Sequence, residues 1–220
     1  GNVSSRRYIS LTLATACLFL AYGSKENAVA FCPFLFCVLL AIYWQRRSDS
    51  ETTPTLSAPM MAAAIVTLVP LAAYLALRQG IMNDVQQPLV SMIDYVVNPL
   101  SHYDLMTRLA TAIKILGFGL CKCFAPFSLS ASYGAEVFSP ASFLDLGVLT
   151  SIAILGSWLF VGFRFARRVP ALFGATAIFL GFSFITSNLP FPIGTVFAER
   201  LYYLPTLAPC ILIALLAQRF

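Results

Sequence analysis

The sequence predicts an all-α integral membrane protein, a polytopic helical bundle with about six spanning helices and one further helix on its outer face. Of the 220 residues, 59% are hydrophobic and only 10% are charged. A soluble domain carries about 25% charged residues. The apolar residues also stand in long runs that short polar loops separate, which is the pattern of a chain that crosses a membrane repeatedly.

The candidate spans follow from the length of these runs. Crossing a hydrocarbon core of about 30 Å takes about 20 apolar residues. The runs are Tyr8–Tyr22, Ala28–Trp44, Ala58–Leu77, Leu105–Ala125, Leu146–Phe163, Pro170–Ser187 and Leu204–Leu216. We treat residues 1–220 as part of one membrane domain: a helical hairpin at 8–44, a span at 58–77, a luminal and interfacial region at 78–145, two spans within 146–187, a luminal loop at 188–203 and a last span at 204–217.

Basic residues at the ends of the runs predict the orientation. Arg6-Arg7, the loop 45–57 (QRRSDSETTPTLS) and the stretch 164–168 (RFARR) each abut an apolar run. Short loops rich in Lys and Arg stay on the cytoplasmic side. We therefore expect 78–145 and 188–203 on the outer or luminal side, and we assign the net charge of +5 to membrane topology rather than to nucleic-acid binding.

The run Leu105–Ala125 carries three cations, Arg108, Lys114 and Lys122. Each charge at the centre of a bilayer costs about 2.5–3.5 kcal/mol on insertion scales. We therefore expect an interfacial or re-entrant helix on the outer face, which also keeps RFARR inside. The alternative is an ordinary span whose Lys114 faces a cavity.

Two outer stretches contain the residues most suited to a site. In the first, Asn98-Pro99 breaks the helical pattern, and Asp104 stands four residues before Arg108, which suits either an ion pair or a local helix-start role. In the second, Glu199 and Arg200 precede a span rimmed by tyrosines. A guanidinium presents a fork of donors to a phosphate, although an interfacial arginine also snorkels beside aromatic residues.

Metal ligands are sparse in the sequence. His102 is the one histidine, and the six cysteines form no zinc-type pair of CxxC motifs. The sequence therefore predicts no metal site, although Glu199 is a candidate ligand if a divalent metal takes part.

The segment NPLSHYDLMTRLATAIKILGFGLCKCFAPFSLSASYG resembles a motif of the transmembrane-and-tetratricopeptide-repeat O-mannosyltransferase family and its microbial relatives. The matching positions are Asn98, Pro99, Arg108, Thr111, Pro126, Leu129, Ser130 and Tyr133, whereas Ser132 stands where the family usually has Asp. The segment SNLPFPIGTVFAERLYYLPTLAPC resembles a second motif of the same family, through Ser187, Asn188, Gly194, Ala198, Glu199, Arg200, Tyr203, Leu204, Pro205 and Cys210. Lys25 and Glu26 are similar to the family's KE hairpin turn.

The resemblance implies a membrane-embedded, C-type glycosyltransferase that moves mannose from dolichyl phosphate to Ser or Thr hydroxyls of a protein acceptor, on the luminal face of the endoplasmic reticulum. It implies a donor-phosphate site at Arg200, Glu199, Lys25, Glu26 and Arg108, with Asn98, Asp104, Tyr133 and Tyr203 in support. The family's acidic pair in the first luminal loop and its repeats do not occur in this sequence. We therefore expect the later half of a membrane domain, with the catalytic acidic loop outside this chain.

Two other functions stay open. A transporter or flippase would show inverted repeats or paired broken helices; the sequence has no internal symmetry, although Pro33, Pro70 and Pro209 interrupt predicted spans. A non-catalytic membrane scaffold of the same family would equally lack the acidic loop.

The lengths of the two hairpin arms also predict how deep the tip at Lys25 and Glu26 lies in the membrane. Two arms of about 17 residues reach about 25 Å each, which is short of the bilayer core of about 30 Å. We expect the tip to lie below the outer membrane surface, in a protein-lined cavity near Arg200.

Overall fold

The structure, a computed structural model, describes residues 3–24, 26–32, 34–36, 39, 57–84, 97–130, 133–134 and 136–218. The described α-helices are α1 (Val3–Ser24), α2 (Ser57–Asp84), α3 (Leu105–Phe124), α4 (Leu146–Arg164), α5 (Pro170–Thr186) and α6 (Leu207–Ala217). Short 3-10 turns stand at Glu26–Ala30, Pro99–Ser101 and Glu199–Leu201. Among the described residues no strand forms, so the predicted all-α class is confirmed.

Two prolines that interrupt predicted spans do not break the helices. Pro70 stands inside α2, which continues without a break from Ser57 to Asp84. Pro209 stands in the first turn of α6, where its missing N–H has no partner to lose. Pro33 lies outside the described residues. The expectation that Pro70 and Pro209 interrupt their helices was therefore wrong.

Two of the described helices are long and apolar enough to cross a membrane. They are Met61–Ile81, within α2, and α4, with mean hydropathies of 1.8 and 2.0. Only 17% of the apolar stretch of each helix is buried inside the protein. Both helices therefore turn most of their apolar side chains outward. Three shorter apolar helices accompany them, at Tyr8–Ser24, Pro170–Thr186 and Leu207–Ala217.

The chain forms two compact units, Gly1–Gln86 and Gln87–Phe220. In the first unit α1 packs against α2, and buried Tyr22 donates a hydrogen bond of 3.2 Å to the Thr67 carbonyl. The hydroxyl of Ser24, the last residue of α1, donates back to the Leu20 carbonyl at 2.8 Å. Lys25 lies outside the described residues, and Glu26 is described in its backbone alone, as the start of the following 3-10 turn.

In the second unit α3 provides the buried core. One face of α3 is buried along most of its length, and it packs against α4, where Gly117 leaves room for Ser151. Helix α4 continues to α5 through a tight turn, with the rings of Phe163 and Phe173 5.5 Å apart. The three cations of α3 therefore stand on the helix around which this unit packs.

Helices α3 and α4 run in the same direction. A Cβ on Gly147 would lie 3.1 Å from Lys114 Cε, near the start of α4. The ring of Trp158, farther along α4, lies 5.5 Å from that of Phe124, the last residue of α3. Neighbouring helices that are parallel require the chain between them to travel back along their length.

The return segment, which we define as the described residues 125–130, 133–134 and 136–145, makes that reversal. The ring of Phe138 lies 5.3 Å from that of Phe118, and the Ala141 amide donates 3.0 Å to the Thr111 hydroxyl. The segment thus moves from the end of α3 toward its beginning. At 1.5 Å per residue along the helix axis, the first residue of α3 lies about 13 Å before the level of the first residues of α4. The last residue of α3 lies about 18 Å beyond that level.

Asp104 begins α3 as its N-cap. Its carboxylate accepts hydrogen bonds from the amides of Met106 and Thr107, each at 3.1 Å. Hydrogen bonds from Thr107 hold the pKa of Asp104 below its usual value, with the larger effect from the Thr107 side chain and the smaller from its backbone. Of the two roles that the sequence allowed for Asp104, the structure therefore supports the local helix-start role rather than pairing with Arg108.

Candidate functional site

The site begins with two asparagines that join the two motif segments. Asn98 and Asn188 are both fully buried, and Asn98 Nδ2 donates to Asn188 Oδ1 at 2.9 Å. Asn98 Nδ2 also lies 2.6 Å from the Ile193 carbonyl and 3.2 Å from the Thr195 carbonyl. The side chain of Asn98 thus holds the loop that follows α5.

Asn188 shapes the same loop from within. Its backbone is in the left-handed region, with φ of 61°, which asparagine tolerates better than most residues. Its Oδ1 accepts from the Ile193 amide at 2.9 Å, and its Nδ2 donates to the Val196 carbonyl at 2.9 Å. Both asparagines stand in the motifs that carry the resemblance, but their contact was not predicted, because no spacing rule joins residues so far apart in sequence.

A second contact between the two motifs involves Tyr133 and Glu199. The Tyr133 hydroxyl donates a short hydrogen bond to Glu199 Oε1. The Tyr133 amide donates to the Phe197 carbonyl at 3.0 Å, forming a single antiparallel bridge. Tyr133, Phe118, Phe138 and Phe197 form an aromatic cluster with ring centroids 5.1–6.2 Å apart. The Glu199 carboxylate is therefore oriented by the Tyr133 hydroxyl.

Lys122 lies against this cluster. Its ammonium donates to the Phe127 carbonyl by a short hydrogen bond and to the Ser128 carbonyl at 3.0 Å. It also lies 5.3 Å from the ring centroid of Phe118 and 6.0 Å from that of Tyr133. From the sequence we considered Lys122 only as a charge that opposes insertion of α3 into the membrane. Its closeness in sequence to a motif tyrosine was a signal for a site.

The other predicted site residues are distributed around this centre. Arg200 is exposed, next to Glu199 in the 3-10 turn that precedes α6, and Tyr203 is exposed one turn later. Arg108 lies near the opposite end of α3, about 21 Å from Lys122 along the helix axis. Its buried Nε has no hydrogen-bond partner among the described residues. The structure thus brings Tyr133 and Glu199 together and leaves Arg108 apart from them.

The chemistry available here is that of cations beside an oriented carboxylate. The described residues contain no group of three His, Cys, Asp or Glu side chains that could hold a metal ion. Lys122 and Arg200 can bind an anion. The Glu199 carboxylate and the Tyr133 hydroxyl can exchange hydrogen bonds with hydroxyl groups. Comparison with family models, curated proteins and solved structures finds no match to this chain.

Proposed function

We propose that this chain is part of a membrane-embedded glycosyltransferase that moves mannose from dolichyl phosphate to Ser or Thr hydroxyls of a protein. The observation that carries the proposal is the meeting of the two motif segments, through Asn98 with Asn188 and through Tyr133 with Glu199. Segments far apart in sequence are expected to meet where they build one site. The proposed location is the membrane of the endoplasmic reticulum, with this site on the luminal side.

The proposed membrane arrangement has about six spans, with α3 as a re-entrant helix that enters from the outer side. The common direction of α3 and α4 and the course of the return segment along α3 support it. A chain that descends in α3 and returns before α4 starts both helices from the same side. On this proposed arrangement the RFARR stretch lies on the inner side, as the positive-inside rule expects.

The proposed reaction assigns distinct work to anion-binding and proton-accepting groups. The acceptor hydroxyl oxygen bonds to C1 of mannose as the bond from C1 to the phosphate oxygen breaks. The hydroxyl proton passes to a carboxylate, as general base catalysis requires, and on this proposal that carboxylate lies outside this chain. Dolichyl phosphate leaves with the bonding electron pair, and cations such as Arg200 stabilise its charge. Lys25, Glu26 and Arg108 stay proposed contributors to phosphate binding.

Replacing Arg200 with Ala tests the proposal. We expect mannose transfer by the full-length protein to fall by about a hundredfold or more, since a group that stabilises leaving-group charge contributes at this scale. Expression and thermal stability should be unchanged, because the Arg200 side chain is exposed. The measurement is transfer of radiolabelled mannose from dolichyl phosphate to a peptide that contains Ser and Thr.

Arg167→Ala is the matched control, because Arg167 is also an exposed arginine and lies in the stretch assigned to the cytoplasmic side. It should transfer mannose at the wild-type rate. If Arg200→Ala transfers as fast as the wild type, Arg200 has no part in the reaction. No described contact favours transport or a scaffold role over transfer.

A further inference from the structure

Among the described residues, the ammonium of Lys122 has hydrogen-bond partners for two of its N–H groups and keeps one position open. An ammonium has three N–H donors, and the Phe127 and Ser128 carbonyls take two of them. The rings of Phe118 and Tyr133 lie within cation–π distance. Within the described part of the chain Lys122 forms no ion pair, so its positive charge is oriented by neutral groups and is not neutralised by a carboxylate.

The turn that fixes Lys122 is itself held in an unusual conformation. Ser128 has φ of 51°, which lies in the left-handed region that residues other than Gly, Asn, Asp and His seldom adopt. Its carbonyl accepts from Lys122 and lies 3.2 Å from the Tyr133 hydroxyl. Backbone strain of this kind persists where surrounding contacts impose it, frequently at ligand sites.

Lys122 lies at a membrane depth, measured along α4, where keeping a lysine without a functional role would be costly. Phe124 lies against Trp158, about 18 Å from the start of α4, and Lys122 is about 3 Å nearer that start. With α4 crossing a core of about 30 Å, Lys122 stands about halfway through. Ionisable residues at such depth are expensive and are generally functional.

We propose that Lys122 binds the phosphate of the lipid-linked donor, by directing its third N–H to a phosphoryl oxygen in a recess below the outer membrane surface. This assignment rests on the proposed function and deepens it by adding Lys122 to Arg200 among the cations that bind the phosphate. The neighbouring Glu199 and Tyr133 then face the sugar side of the same phosphate, where a carboxylate and a hydroxyl can bind sugar hydroxyls. A donor that reaches its site from within the bilayer explains why a lysine is kept at this depth.

The test measures binding of a short-chain polyprenyl phosphate and of the matching neutral polyprenol to the full-length protein in lipid nanodiscs. The wild type should prefer the phosphate by about tenfold or more, the scale of a hydrogen bond to a charged group. Lys122→Gln should lose most of that preference, whereas Lys114→Gln, a second half-buried lysine of α3, should keep it. Melting temperatures establish that each variant is folded.

Three results would overturn the assignment. A folded Lys122→Gln protein that keeps the wild-type preference excludes the contact. Equal weakening of both ligands indicates a purely structural lysine. A wild type that prefers neither ligand contradicts the proposed function itself, and with it this assignment, so the two failures are distinguishable.

Amine acetylation of the wild-type protein gives a second measurement that needs no variant. Polyprenyl phosphate should protect Lys122 from the reagent, while polyprenol should leave it reactive. Equal labelling in both cases would contradict the contact. Protection by inorganic phosphate as strong as that by the lipid would assign a site for free anions, which would overturn the lipid assignment.

Discussion

Replacing Asn98 with Leu is expected to destabilise the second unit by about 3–5 kcal/mol, because each buried polar group left without a partner costs about 1–3 kcal/mol. The substitution removes the amide that donates to Asn188 Oδ1 and to the Ile193 carbonyl. It also removes the oxygen that accepts from the Leu100 amide at 3.1 Å. Thermal unfolding of the full-length protein in detergent should show a melting temperature lower by about 6–12 °C.

Two companion variants show whether the asparagine pair is responsible. Asn188→Gly removes the second amide yet tolerates the positive φ, and the double variant should cost less than the sum of the two, since both remove one shared hydrogen bond. Ser101→Ala removes a single bond of 2.8 Å to the Asn98 carbonyl and should cost about 1 kcal/mol. A stable Asn98→Leu protein, or fully additive single variants, would contradict the role given to the pair.

Adding one methyl group at Gly119 is the second substitution expected to have a large effect. A Cβ there would lie 2.3 Å from Cε1 of Tyr202, which is a forbidden contact. Tyr202 is 3% exposed, and its ring lies 5.0 Å from that of Phe197, so it has no free space to enter. We expect Gly119→Ala to cost about 1–3 kcal/mol, as overpacking a close-packed core typically does.

The same substitution should also reduce transfer. The Tyr202 amide donates to the Glu199 carbonyl at 2.8 Å, so a displaced Tyr202 moves the turn that carries Glu199 and Arg200. Transfer by Gly119→Ala should therefore fall even at temperatures where the protein stays folded. Activity and melting temperature of the purified variant measure both effects.

Gly156 provides the matched control on α4. Among the described residues, no atom outside the neighbouring backbone of α4 lies within 4 Å of a Cβ built there. Alanine stabilises a protein by about 0.4–1 kcal/mol relative to glycine where the backbone suits both. Gly156→Ala should therefore keep or raise the melting temperature and leave transfer unchanged. If both glycine variants behave alike, the close packing of Gly119 on Tyr202 is not what limits the site.

Helix positions were largely predictable from the sequence. The run Leu146–Phe163 became α4, Leu146–Arg164, and Pro170–Ser187 became α5, Pro170–Thr186. Apolar run length and the flanking Asp145 and Pro170 determine these bounds locally. The last helix starts later than expected, at Leu207 rather than Leu204, because a turn over 202–206 precedes it.

The contacts of the candidate site residues could not be predicted from the sequence. Tyr133 and Glu199 were both candidates, but the bond between them depends on the return segment, whose course no periodicity encodes. Lys122 was missed for the same reason, since its acceptors are carbonyls placed by the turn at Ser128. The expected neighbourhood of Lys25 with Arg200 lies outside the described residues and stays a prediction.

The central claim, sugar transfer from a lipid phosphate, is tested most directly by incubating the purified full-length protein in proteoliposomes with dolichyl phosphate that carries radiolabelled mannose and with a protein acceptor. We predict that mannose appears on Ser or Thr hydroxyls, that dolichyl phosphate is released in equal amount, and that both products disappear in the Arg200→Ala variant. A folded protein that transfers no mannose to any Ser or Thr acceptor would contradict the proposed function.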